Sequence, residues 1–377
     1  RKEGEKNKIC ILTATSGDTG KAALEGFADV DGTEIIVFYP ENGVSEVQQR
    51  QMVSQEGANT HVAAIKGNFD DAQTGVKKIF ADEAIKDTLA DKGIKLSSAN
   101  SINIGRLVPQ VAYYVYSYVK LIEDGALKKG DAMNIVVPTG NFGNILAAYL
   151  AGKMGIPVGK LICASNENKV LTDFIRTGIY DARREFHLTS SPSMDILISS
   201  NLERLLYLLS GRDGQAVNRW MSDLEEKKIY EVSADVKEKM KDFYGGFCTE
   251  EETEETIAKL WDEDKYLVDT HTAVAYKVYR DYVEETGDDR PAVIASTASA
   301  YKFAQSVAKA CGLDELKVAK MAKTDKEVTG FDYVKALAKL TGVKVPSGLA
   351  DLENKPVLHN MVCEKDKMAD VVLEVLR

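Results

Sequence analysis

The sequence has no dense run of lysine and arginine, and its net charge is −10. Nucleic-acid binding draws its affinity from clustered cations that neutralise phosphates, so that class of partner is excluded. Cysteine is scarce. Cys10, Cys163, Cys248, Cys311 and Cys363 are far apart, odd in number and form no C-x-x-C pair. That spacing argues against a zinc site or a disulfide framework and for a reducing, cytoplasmic setting. His61, His187 and His359 stand alone, without the spacing of metal ligands, and no metal is expected. No apolar run approaches the roughly 20 residues of a membrane span. Internal repeats and low-complexity linkers are also missing. The opening, RKEGEKNKICIL, is charged and then only briefly apolar, with no obvious small-residue cleavage site, so it is not expected to be a signal peptide. It carries no initiator methionine and reads as a start part-way through a larger protein.

What is present is a chain of 377 residues, 44% of them hydrophobic, enough for two packed domains. Apolar runs of strand length alternate with longer helical patterns. KICILTAT (8–15), EIIVFYP (34–40) and NTHVAAIKG (59–67) read as strands, and a helical pattern comes after each. A helix with many aromatics covers about 105–124, and the stripe Tyr113, Tyr114, Tyr116 and Tyr118 is expected to pack. MNIVVPTG (133–140), KLICASN (160–166) and PAVIAST (291–297) continue the strands. The alternation predicts an α/β fold of mostly parallel twisted sheets with flanking helices. Two domains are expected: a smaller one over 1–100 and a larger one over 101–377, with a helical insertion at about 201–265. MADVVLEVLR at the end reads as a short amphipathic helix.

Three strand-to-helix turns are rich in Gly, Ser, Thr or Asn: TSGDTG (15–20), PTGNFGN (138–144) and STASA (296–300). Such turns sit at the carboxyl ends of parallel strands, where free N–H groups and the helix dipole attract anions. TSGDTG is not a Walker loop. Thr15 stands where the first glycine belongs, and Ala22 after Lys21 leaves no hydroxyl for a magnesium ion. Asp18 repels a phosphate but tolerates a ligand with a hydroxyl or ammonium group; taken alone, it reads first as a helix cap. PTGNFGN is the best phosphate cradle, with Asn144 as an ordinary N-cap the alternative. His271 beside Asp269 reads as a structural histidine, and the carboxylates at 249–256 as a solvated helix start.

Together these segments resemble threonine synthase, a pyridoxal-phosphate enzyme with the tryptophan-synthase-β type of fold. The resemblance rests on TATSGDTGKAALEGF, NSINIGRLVPQVAYYVYSY, IVVPTGNFGNILAAYLA, LTDFIRTGIYD, LTSSPSMDILISSNLERLLY and DTHTAVAYKVY. The long SSPSMDILISSNLERLLY stretch is the most specific, because related lyases and dehydratases lack it. Two departures stand out. The F-K-D motif that carries the family's Schiff-base lysine is not in this sequence, so no catalytic residue is assigned and the chain alone is expected to be inactive. The family's T-A-H-P-x-K-F pattern is here Thr297-Ala298-Ser299-Ala300-Tyr301-Lys302-Phe303.

The resemblance implies conversion of O-phospho-L-homoserine and water to L-threonine and phosphate, with pyridoxal phosphate as electron sink. It implies that Gly140, Asn141, Phe142, Gly143 and Asn144 hold the cofactor phosphate and that Thr297 meets the pyridine nitrogen. Ser16, Gly17, Asp18 and Thr19 would bind the substrate carboxylate. Asn103, Arg106 and Gln110 are candidates for the substrate phosphate, since spacings of three and four put them on one helix face. Arg106 reads equally as a surface ion pair. The alternatives are another pyridoxal-phosphate lyase, such as a serine/threonine dehydratase, and a non-catalytic ligand-binding fragment.

Overall fold

The computed structural model describes residues 6–377. The charged RKEGE opening lies outside the described residues. The strands are β1 (Lys8–Ala14), β2 (Thr33–Pro40), β3 (Thr60–Lys66), β4 (Ile94–Ser98), β5 (Met133–Pro138), β6 (Val158–Ser165), β7 (Ile179–Asp181), β8 (Ile229–Glu231), β9 (Phe243–Phe247), β10 (Ala292–Ile294) and β11 (Met361–Glu364). They form two parallel sheets, in the orders β11-β3-β2-β1-β4 and β10-β5-β6-β9, and an antiparallel ribbon of β7 and β8. Unbroken apolar runs make the inner strands, because helices cover both faces of a parallel sheet. Ile35, Ile36, Val37 and Phe38 of β2 and Ile135, Val136 and Val137 of β5 are fully buried.

The chain divides into two compact units: residues up to Asn103 together with Val318–Arg377, and Ile104–Lys317. This differs from the expected division, which gave everything after residue 100 to the second domain. The reason is β11. It pairs parallel with β3, Met361 opposite Ala63, and so brings the end of the chain back to the first sheet. The expected terminal helix is present as Met368–Val375, and it sinks Met368, Val371 and Val372 into the cluster that holds Ile36, Phe38 and Ile65.

The expected helical insertion is also corrected. Residues 201–265 do hold the helices Leu202–Leu209, Gly214–Lys227, Ala234–Lys239 and Glu250–Asp264. They also hold β9, an edge strand of the second sheet, whose sequence FYGGF disguises it. Glycines are rare in strands; here the helix carrying Val278 presses so close that a Cβ at Gly246 would lie 2.6 Å from Val278 Cγ1. The tyrosine stripe divides: Tyr114 and Tyr118 are buried, whereas Tyr113 and Tyr116 face outward. All five cysteines are free, and no helix among the described residues is long and apolar enough to cross a membrane.

One carboxylate pins β5 to the segment leading into β10. Asp288 accepts from both Arg290 Nε and Arg290 Nη2, at 2.7 and 2.6 Å, and from Asn134 Nδ2 at 3.0 Å. The Arg290 guanidinium, helped by the Tyr282 hydroxyl and the Asn134 amide against the cost of burial, holds Asp288 well below the usual carboxylate range. A depressed folded-state pKa stabilises the fold above the unfolded value of about 3.9 and ceases to do so as pH falls through the folded one. Asp288→Asn is therefore expected to lower stability to urea at neutral pH. The gap from the parent should close progressively below about pH 4; an unchanged gap in strong acid would remove Asp288 from this role.

Candidate active site

In the first unit, β1 and β4 are neighbours, so the turns after them leave adjacent strand ends. Asn100 ties the two together: its Nδ2 donates to the Ala14 carbonyl at 2.8 Å and its Oδ1 accepts from Ala14 N–H at 3.4 Å. Thr15, buried to 1%, organises the TSGDTG turn by accepting from Gly17 N–H at 2.9 Å and Gly20 N–H at 2.8 Å. Gly17 takes φ 134° and ψ −83°, a conformation open only to glycine, and caps the helix Asp18–Phe27. Asp18 is the first residue of that helix, and its Oδ1 accepts from Gln48 Nε2 at 2.9 Å. Gln48, buried to 1%, is itself fixed by a reciprocal capping box with Ser45. Ser16 and Thr19 are half-buried on the same turn. Asn103 lies just before the helix Ile104–Glu123, with its Nδ2 donating to the Ser98 carbonyl at 2.6 Å. Lys21 pairs with Glu25 at 2.5 Å and also donates to Gln55 Oε1.

In the second unit, β5 pairs with β10, and the turns after them, 139–142 and 295–299, leave side by side. The helix Gly143–Lys153 starts directly after Phe142, which is left-handed at φ 62°; Asn144 is not its cap. The SSPSMDILISSN segment supports this turn. Ser199 Oγ donates to the Gly140 carbonyl at 2.8 Å, and the Asn201 N–H and Nδ2 both donate to the Asn141 carbonyl, at 3.1 and 2.9 Å. Ser200 Oγ donates to Asn141 Oδ1 at 3.1 Å. Every one of these bonds uses an oxygen of the turn. The N–H groups of Gly140–Asn144 take no part in them, and those of Gly143 and Asn144 open a helix, where no intrahelical acceptor exists. Among the described residues these amides have no hydrogen bond outside the helix, and a row of such N–H groups at a helix N-terminus suits a phosphate.

Asn144 has a different task from capping. It accepts from the Tyr114 hydroxyl, and its Nδ2 donates to Gln110 Oε1 at 3.0 Å. Gln110 Nε2 in turn donates to the Arg106 carbonyl at 2.5 Å. Burial pushes the Tyr114 phenol well up, which keeps it a donor and gives this relay one direction. Gln110 Nε2 carries a second amide proton. Arg106 is half-buried, and its desolvated guanidinium sits below its usual value while remaining charged.

Thr297 is exposed in the turn after β10. Beside it Ser299 stands where the family pattern has a histidine, and it caps the next short helix, its Oγ accepting from Tyr301 N–H at 3.4 Å. Thr15, Gln48, Asn100 and the Ser199–Asn201 segment were not singled out from sequence as site residues. Thr15 acts within its own turn, whereas Gln48, Asn100 and Ser199 reach partners 30, 86 and 59 residues away, and only the S-rich composition of the last hinted at a loop that binds backbone.

Three comparisons with known proteins bear on this geometry. The profile of the "Pyridoxal-phosphate dependent enzyme" family matches residues 1–298, and that of "Threonine synthase, C-terminal" matches 272–357. Threonine synthase-like 1 of Homo sapiens is 43% identical over 81% of this chain and 42% of its own length. The threonine synthase of Pseudomonas aeruginosa is 41% identical over 82% of this chain and 63% of its own. The chain therefore spans less than two thirds of the length of these curated relatives. Among solved structures, the pyridoxal-phosphate-bound threonine synthase from Brucella melitensis superimposes with a TM-score of 0.81 at 36% identity, over 98% of this chain and 70% of that one. Yeast threonine synthase gives 0.79 at 31%, over 99% and 70%. The two parallel sheets are those of the tryptophan-synthase-β-like pyridoxal-phosphate fold, and the chain belongs to the threonine synthase family of pyridoxal-phosphate-dependent enzymes.

Proposed function

We propose that this chain belongs to a threonine synthase, a carbon–oxygen lyase that converts O-phospho-L-homoserine and water to L-threonine and phosphate. The observation that carries the reading is the turn at 140–144, gripped by its oxygens and offering only its amides. Five successive N–H groups at a helix start fit a cofactor phosphate. When bound, pyridoxal phosphate draws electrons from the substrate's carbon skeleton.

The chain's own residues bind and orient. Gly140, Asn141, Phe142, Gly143 and Asn144 hold the cofactor phosphate through their backbone. The Thr297 hydroxyl meets the ring nitrogen without forcing a proton onto it, as a carboxylate would. Ser16, Gly17 and Thr19 receive the substrate carboxylate, and Asp18, held by Gln48, keeps its charge off that group and turns it toward a hydroxyl or ammonium. Arg106, with Asn103 and Gln110, binds the phosphate that leaves. A guanidinium partly out of water is well suited to a departing dianion, since its attraction is weakly screened there.

The 377 residues contain no F-K-D motif. We therefore expect this chain by itself to bind the cofactor without a covalent link, so that borohydride fixes nothing, and to turn over no substrate. The parent protein, supplied with O-phospho-L-homoserine, should release phosphate and threonine in equal amounts. Release of a 2-oxo acid from threonine instead would identify a dehydratase and overturn the reading.

A further inference from the structure

We propose that His271 is a positioning residue for the cofactor-phosphate turn, acting through the backbone of Ser193; the proposal rests on the assignment of that turn to the cofactor. His271 is the second residue of the helix Thr270–Thr286, and its side chain is 3% exposed. Asp269 caps that helix, with a side chain that is 0% exposed. Its Oδ1 accepts from His271 N–H and lies 2.9 Å from His271 Nδ1. A carboxylate cannot donate, so Nδ1 carries the proton of the imidazole. The other ring nitrogen then has to accept in the neutral ring, and it does. Ser193 N–H donates to His271 Nε2 at 3.2 Å. The Phe303 ring, its centroid 4.9 Å away, closes the side of the imidazole.

The far side of the same residue carries this bond to the turn. The Ser193 carbonyl forms the wall against Gly140: a Cβ built on Gly140 would lie 2.4 Å from that oxygen. The same helix start grips the segment a second time, where Thr270 Oγ1 donates to the Ser190 carbonyl at 2.7 Å. The imidazole therefore fixes a residue whose two backbone polar groups do different work. Its N–H is held by His271, and its carbonyl sets how the 140–144 turn lies. Hydrogen-bond strength toward a phosphate falls steeply with misalignment, so a small shift of this wall weakens the amides' grip without removing any of them.

A purely structural histidine would affect all ligands alike. A positioning one changes the part of the affinity that the phosphate contributes. The test measures equilibrium binding of pyridoxal phosphate and of pyridoxal to the purified protein, with inorganic phosphate as competitor, and compares the ratio of the two affinities. His271→Leu removes the acceptor and is expected to cut that ratio about tenfold, the scale of one charge-assisted hydrogen bond put out of register, with pyridoxal binding unchanged. His271→Gln, whose side-chain oxygen reaches the place of Nε2, should restore it. His271→Asn, which reaches only the place of Nδ1, should not. Should the leucine variant fail to fold, the glutamine and asparagine pair decides alone. Equal ratios in all variants, with a clear phosphate preference in the parent, overturn the role of His271 and leave the cofactor site intact. No phosphate preference in the parent itself overturns the cofactor site, and the proposal with it.

Discussion

Gly140→Ala should abolish phosphate-dependent binding of pyridoxal phosphate. The added methyl would lie 2.4 Å from the Ser193 carbonyl oxygen and 3.4 Å from Met194 Cα, both backbone atoms. Ordinary contacts between such atoms are about 3.5 Å or more, so one segment has to retreat by about 1 Å. Neither is free to do so. Ser193 is held by His271, and the Gly140 carbonyl by Ser199. Overpacking of this kind costs about 1–3 kcal/mol of stability. The larger effect falls on the amides, since a displaced turn no longer converges on one phosphate. We expect at least about a hundredfold loss of affinity for pyridoxal phosphate, equivalent to about 3 kcal/mol, in a protein that still folds. Gly143→Ala is the structural control. Its methyl would meet only Asn201, with Nδ2 at 3.4 Å, so the fold should keep its thermal midpoint. Fluorescence titration and a melting curve on both variants separate the two effects. Parental affinity in Gly140→Ala would refute the arrangement.

The second large effect is expected at Gly17. Its φ of 134° is outside the range open to residues with a Cβ, and an added methyl would lie 2.5 Å from Gln48 Cδ. Gln48 cannot swing away cheaply, because it is buried, caps its own helix with Ser45 and holds Asp18. Backbone strain of about 1–3 kcal/mol adds to the clash. Gly17→Ala should therefore lower the thermal midpoint and release Asp18 from Gln48. In the parent enzyme, kcat/KM for O-phospho-L-homoserine should fall by at least about a hundredfold, through misplacement of the groups that meet the substrate carboxylate. Pyridoxal phosphate affinity should stay within about threefold of the parent value, because the 140–144 turn is untouched. A variant with normal turnover would show that the turn does not receive the substrate.

The sequence revealed some of these links and hid others. Buried strands were legible from unbroken runs such as EIIVFY and NIVVP, and the turns after them from their glycines. The strand β9 was hidden because two glycines in five residues erase the β pattern, and their reason is a helix pressed against each, Val170–Thr177 against Gly245 and Thr270–Thr286 against Gly246. The return of β11 to the first sheet was hidden because MVCE is short and pairs with a strand near the other end of the chain. In the site, the loops were visible and their supports were not. Asn100 acts 86 residues away on Ala14, and His271 acts 78 residues away on Ser193. A lone polar residue gives no local sign of such a partner. His271 reads as a structural histidine from sequence, and its burial fits that; what only the coordinates reveal is the peptide it holds.

A crystal structure of the protein with pyridoxal phosphate bound is the most direct measurement. The account predicts the phosphorus atom above the start of the Gly143–Lys153 helix, with its oxygens within about 3 Å of the main-chain nitrogens of 140–144. Clear density for the phosphate anywhere else, with those nitrogens left to water, would contradict it.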